Sequence, residues 1–148
     1  MESTHAQLAA SAAAVSRGRL WTGRIIAGLV VLFCLFDAAT KLLKPGPVLE
    51  AFARTGWPTE LSVPLGGILL VSTLLFAIPR TAVLGAVLLT GYLGGAVATN
   101  MRLENPLFSN TLSPVYFGVL IWASLLLRDA RLGEFLPLVR HARVKPTR

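Results

Sequence analysis

FCLFDAATKLL, residues 33–43, decides which class of fold this chain can adopt. Apolar side chains dominate it, yet Asp37 and Lys41 stand one helical turn apart. The segment closes an apolar run over residues 20–43, whose roughly 24 residues cross a hydrocarbon core of about 30 Å as a helix. Three further apolar runs, residues 62–78, 81–101 and 111–127, are also about 17 to 21 residues long and sufficient to cross. Across all 148 residues, 54% are hydrophobic and 14% charged, far from the balance of a water-soluble domain. The expected fold is therefore all-α: an integral membrane four-helix bundle.

The charges are distributed by side. Arg17, Arg19 and Arg24 precede the first span, Arg80 separates the second from the third, and Arg128, Arg131, Arg140, Arg143, Lys145 and Arg148 follow the fourth. If the spans alternate, these residues share one face of the membrane and leave Lys41, Lys44, Arg54 and Arg102 for the other. This positive-inside pattern puts both termini in the cytoplasm and accounts for the +7 net charge as a topology signal in contact with anionic lipid. A nucleic-acid partner is not expected. A cleavable leader fits poorly, because a small-residue cut near Ala38 would leave Phe36 or Asp37 just upstream of it. The organisation expected is a flexible cytoplasmic tail over residues 1–19, a membrane domain over 20–128 and a basic cytoplasmic tail over 129–148.

Punctuation separates the spans. KPGP, residues 44–47, ends the first helix because proline lacks a donor and restricts the residue before it. VLEAFARTGWP then places Val48, Leu49, Phe52 and Ala53 on one helical face opposite Glu50 and Arg54, which reads as a short helix at the outer interface with Trp57 at headgroup level. Trp21 and Trp122 read as interfacial or packing residues. Pro79 and Arg80 alone join spans two and three, which forces an antiparallel hairpin. In span three, Gly91 and Gly95 have GxxxG spacing, and Gly94 and Ala98 form a second small-residue ridge. Such ridges let helices approach closely in lipid, so span three is expected at the centre of the bundle.

Depth gathers the polar residues. Asp37 lies about 26 Å along span one and Asn100 about 28 Å along span three, so both reach the outer edge of the hydrocarbon. Thr40, Lys41, Thr99, Arg102 and Glu104 share that level, while Tyr92 lies about 16 Å along span three on nearly the same face as Thr99. Two readings remain open. Asp37 and Lys41 form an interfacial ion pair with a snorkelling lysine, or they wall an outward-facing pocket with Tyr92, Thr99, Asn100 and Arg102 around it. In the second case Asp37 and Tyr92 have the chemistry of an acid–base pair. Cys34 is the only cysteine, which rules out an intramolecular disulfide or an iron–sulfur cluster built by this chain alone. His5 and His141, the only histidines, fall in the tails, so neither a histidine-ligated haem nor an imidazole metal site is expected within the spans.

From about Trp21 to Pro137 the chain resembles the DoxX-like family of small bacterial four-helix membrane proteins. The resemblance rests on FDAATKLLKPGPV, on TGWP with LGGILL after it, and above all on IPRTAVLGAVLLTGYLGGAVATNMR followed by PLFSN, SPVYFGVLIW and LRDARL. It implies a multi-pass protein of the bacterial cytoplasmic membrane, associated in some relatives with quinone-linked sulfur oxidation or membrane oxidoreductase assemblies. Close relatives usually carry histidine where this chain has Asn100 and Asn110; an amide keeps hydrogen-bonding geometry but neither shuttles protons near neutral pH nor binds zinc well. The function expected is an accessory or binding module for a small apolar or quinone-like molecule, or for a membrane partner. A membrane oxidoreductase and a second copy of the chain are both open as that partner. The alternative is a membrane enzyme or oxidoreductase subunit using Asp37 and Tyr92. No cofactor held by the chain itself is expected beyond such a quinone-like ligand.

Overall fold

The computed structural model describes residues 17–129 and Leu132. Residues 1–16 of the expected 1–19 tail and the basic residues from Arg131 onward, with both histidines, lie outside the described residues, while Arg17, Gly18 and Arg19 begin the first helix. Five α-helices run in order: α1 (Arg17–Leu43), α2 (Gly46–Thr55), α3 (Ser62–Ala77), α4 (Ala82–Arg102) and α5 (Ser113–Arg128). A 3-10 turn at Thr59–Leu61 leads into α3, and a π turn at Leu107–Thr111 leads into α5. With these turns included, four helical segments are long and apolar enough to cross a membrane. No strand occurs among the described residues.

The helix ends follow local chemistry. Lys44 takes a left-handed φ of 52° just after α1, and its N–H bonds to Thr40 O at 3.1 Å, after which Pro45 blocks continuation. Gly56 at φ 70° ends α2, with its N–H on Ala53 O and that of Trp57 on Phe52 O. Glu104 at φ 53° ends α4 in the same way, through Glu104 N–H to Met101 O and Asn105 N–H to Asn100 O. The latter two ends have the paired bonds of a Schellman cap, which satisfy carbonyls that the helix itself leaves open.

The four long helices form a ring in which α1 packs on α3 and α5, and α4 packs on the same two neighbours. Their inward faces combine small and hydroxylated residues with a few large apolar ones. Ala27, Val30, Cys34 and Ala38 of α1 meet Ser62, Gly66, Leu69, Thr73 and Phe76 of α3, with Ile121, Ser124 and Leu125 of α5 completing that side. Buried hydroxyls cost little because they are bonded: Thr73 to Leu69 O at 2.7 Å, Ser124 to Ile121 O at 2.7 Å, and Ser62 across to Lys41 O at 2.6 Å. Most of the large apolar side chains point outward, with Leu29, Leu32 and Phe36 each more than 60% exposed. An interior that mixes small, hydroxylated and a few large apolar residues beneath a leucine-rich exterior is stable where lipid rather than water surrounds the bundle.

Close approach occurs at three glycines that the sequence pattern did not single out. A Cβ on Gly23 would stand 3.0 Å from Ser124 O and 2.8 Å from Arg128 Cγ, where α1 crosses α5. One on Gly66 would stand 2.9 Å from Lys41 Cβ, where α3 meets α1, and one on Gly85 would fall on the Phe76 backbone, where α4 meets α3. Gly91, Gly94 and Gly95 behave otherwise: a Cβ at any of them meets nothing within 4 Å. The expectation that they and Ala98, which is itself exposed, pack α4 against another helix is therefore corrected for contacts within this chain. Nor is α4 the centre of the bundle; it is one corner of a ring. The reason is an opening between helices. Buried residues of α4 end at Leu89, and its remaining turns face cavities.

Candidate functional site

The larger opening is a cavity of about 640 Å³ at the α2 end of the bundle. Helix α1 contributes Asp37, Thr40 and Lys41; α2 contributes Pro47, Val48, Ala51, Phe52 and Thr55; α3 contributes Leu65 and Ile68. Helix α4 supplies Gly91, Tyr92, Gly95, Ala96, Thr99 and Asn100, and Trp57 completes the lining. The cavity forms because α3 and α4 touch at Gly85 beside their short turn and are separated by it at Gly91 and Gly95. Five of the six residues expected around a pocket thus line one cavity, although α1 and α4 stand at opposite corners of the ring.

Helix α2 closes the side between α1 and the rim. Its inward residues are Val48, Ala51, Phe52 and Thr55, so the expected face is shifted: Ala53 is exposed, and Ala51 and Thr55 turn inward in its place. None of its residues is buried. Arg102, the sixth expected residue, does not line the cavity. It donates to the Thr55 carbonyl and its guanidinium lies 6.0 Å from the centre of the Trp57 ring, which ties the end of α2 to the end of α4.

Polarity inside the cavity is concentrated at one end. Lys41 donates to Asp37 Oδ1 in an i, i+4 ion pair, with the lysine side chain 17% exposed and the aspartate 36%. Thr40, Thr55 and Thr99 each donate their hydroxyl to a carbonyl of their own helix, at 2.8, 2.8 and 2.9 Å. Asn100 donates to Ala96 O at 2.9 Å and accepts from Asn105 at 2.8 Å. Among the positions those bonds leave open are the Tyr92 hydroxyl, the remaining ammonium protons of Lys41, the free lone pairs of Asp37 and the second amide proton of Asn100. Gly91, Gly95, Ala96, Leu65 and Ile68 make the rest of the wall apolar.

Asn110 is elsewhere. It is exposed on the π turn, where Ser109 donates to its side chain at 2.7 Å, so the two positions that resemble histidine sites do not share the cavity. A second opening of about 500 Å³ runs between α4 and α5 along Leu93, Gly94, Val97, Gly118 and Trp122, and is almost wholly apolar. The Trp122 indole donates to Thr90 across it at 3.0 Å, which assigns Trp122 a packing role, while Trp21 is exposed on the flank of α1. Sequence reading missed the α2 side chains, Leu65 and Ile68 as wall; the amphipathic period of residues 48–55 was the available signal for the first group.

A bundle of four membrane-length apolar helices, with its large side chains outward and a polar-ended cavity at one end, defines a multi-pass helical membrane protein. Residues 25–124 match the model of the DoxX-like family, and the chain belongs to that family. No curated protein and no solved structure matches it.

Proposed function

We propose that this protein is a binding module for a small membrane-dissolved molecule, held in the α2-end cavity with its polar group near Asp37, Lys41 and Tyr92 and its apolar body along Gly91, Gly95 and Ile68. The observation that carries this reading is the glycine wall. At 640 Å³ the cavity has the size of a small-molecule site, and it exists because α4 presents no side chain at Gly91 or Gly95. Ile68 is 55% exposed and Gly91 and Gly95 are exposed, so the cavity opens on the flank between α3 and α4, at a level that lipid reaches. A quinone-like molecule has the required shape and polarity. The test is purification in mild detergent with mass spectrometry of co-purifying small molecules and proteins. One defined amphiphile present with the wild type and absent from Gly91→Leu supports the reading; equal recovery from both overturns it.

A second reading rests on Asp37 and the unbonded Tyr92 hydroxyl sharing this cavity: an enzyme, or an oxidoreductase subunit with a membrane partner, in which the carboxylate accepts a proton and the phenol donates a hydrogen bond. Turnover that Tyr92→Phe abolishes would favour it over simple binding. For orientation, we propose insertion in a bacterial cytoplasmic membrane with both termini cytoplasmic, on the strength of the basic residues around the first and last spans. A reporter fused after Arg148 should behave as cytoplasmic and one inserted near Arg54 as external; the reverse result would overturn that orientation.

A further inference from the structure

We infer that the cavity selects an uncharged polar group, and that the Asp37–Lys41 ion pair is what sets this selectivity. The inference rests on the binding reading above. Among the described residues, Asp37 and Lys41 are the only charged side chains in the cavity lining, and they neutralise each other through a direct bond. Arg102 stands outside the lining, exposed and engaged with the Thr55 carbonyl and Trp57, where solvent weakens its reach into the cavity. A phosphate or carboxylate entering beside the pair would have to be stripped of water and would meet Asp37 as well as Lys41. Among the described residues, no second cation lines the cavity to balance it. Burial of an unbalanced charge is the expensive case, whereas a hydroxyl or carbonyl finds both a donor and an acceptor.

The hydrogen-bond positions left open agree with that choice. Lys41 retains protons to donate, Asp37 retains lone pairs to accept, and the Tyr92 hydroxyl does either. The threonine protons and one of the two Asn100 amide protons are already committed to helix carbonyls, so these side chains add a single free N–H, short of the donor set that would cradle an anion. The ligand class that fits is a neutral amphiphile with a hydroxyl or carbonyl head: an alcohol, a phenol or a quinone-like ring on an apolar body.

The experiment compares two probes with the same tail, dodecan-1-ol and dodecyl phosphate, on protein in nanodiscs, with bound probe counted by native mass spectrometry. Gly91→Leu, which fills the cavity, identifies binding at this site. Wild type should hold the alcohol in preference to the phosphate by about tenfold, a modest value because the pair is partly exposed. Asp37→Asn leaves the Lys41 ammonium without its counter-charge and should reverse the preference. Equal binding of both probes by the wild type, each lost in Gly91→Leu, would overturn the charge selection while leaving the binding site in place. Binding of the probes that Gly91→Leu leaves unchanged would instead overturn the site itself, and the selectivity with it. If Asp37→Asn does not fold, the wild-type comparison decides alone.

Discussion

The two halves of α4 carry the same small residues and use them in opposite ways. In the first half, Ala82, Gly85 and Ala86 are buried, and Gly85 lets the α3 backbone come so close that no side chain fits. In the second half, Gly91, Gly94 and Gly95 border open space. Glycine spacing alone does not separate these roles, because a missing side chain permits either a neighbouring helix or a cavity. What separates them is distance from the hairpin turn. Thr81 bonds to Leu75 O at 2.8 Å and its N–H to Ile78 O at 3.1 Å, which clamps the helices together at that end. Twelve or so residues further on, at about 1.5 Å per residue, they are free to separate.

The largest expected effect is at the closed half. Gly85→Leu would drive a side chain into the Phe76 backbone, which cannot rotate away as a flexible side chain could. Destabilisation should exceed the roughly 1–3 kcal/mol of ordinary overpacking and leave little folded protein on size-exclusion chromatography. Gly91→Leu and Gly95→Leu should retain the bundle and keep or raise its thermal midpoint, since replacing a helix-interior glycine recovers about 0.5–1 kcal/mol. Equal loss of fold at Gly85 and Gly91 would erase the distinction between the halves.

Next in size is the ion pair at the cavity's polar end. Lys41→Met alone strands a partly desolvated carboxylate and should cost about 1–2 kcal/mol, between the values for exposed and buried pairs. The double variant with Asp37→Leu should cost less than the sum of the two single changes in a thermal-stability cycle. Additive effects would mean that the two side chains do not support each other. Ser62→Ala, which removes the bond from the start of α3 to Lys41 O, should cost about 1 kcal/mol at the α1–α3 contact.

The smallest stability effect belongs to Tyr92→Phe. Tyr92 lines the cavity and makes no side-chain hydrogen bond, so the bundle should be unchanged while a bound molecule is weakened by about 0.5–1.5 kcal/mol. Measured destabilisation of the empty protein would assign the hydroxyl to the fold instead.

Much of this arrangement is legible in the amino-acid sequence. Long apolar runs, the Pro79–Arg80 turn and the KPGP break dictate the helices through length and backbone chemistry, which are local properties. The same depth count that put Asp37 beside Asn100 and Thr99 gathered residues of α1 and α4 that line the cavity, because rise per residue transfers from one helix to another. Which glycines touch a helix was not legible. That depends on how steeply α3 and α4 diverge, a property of two helices that no single repeat encodes. Arg102 was misplaced for a related reason: depth locates its Cα, but the long side chain reaches back to α2.

Whether the open half of α4 is a working site is tested most directly by binding of dodecan-1-ol to wild type and Gly91→Leu, compared at their measured thermal midpoints. The expected result is an undiminished midpoint with binding lost. Retained binding, or a collapse of the fold like that expected at Gly85, would contradict the reading of this glycine as the wall of a ligand cavity.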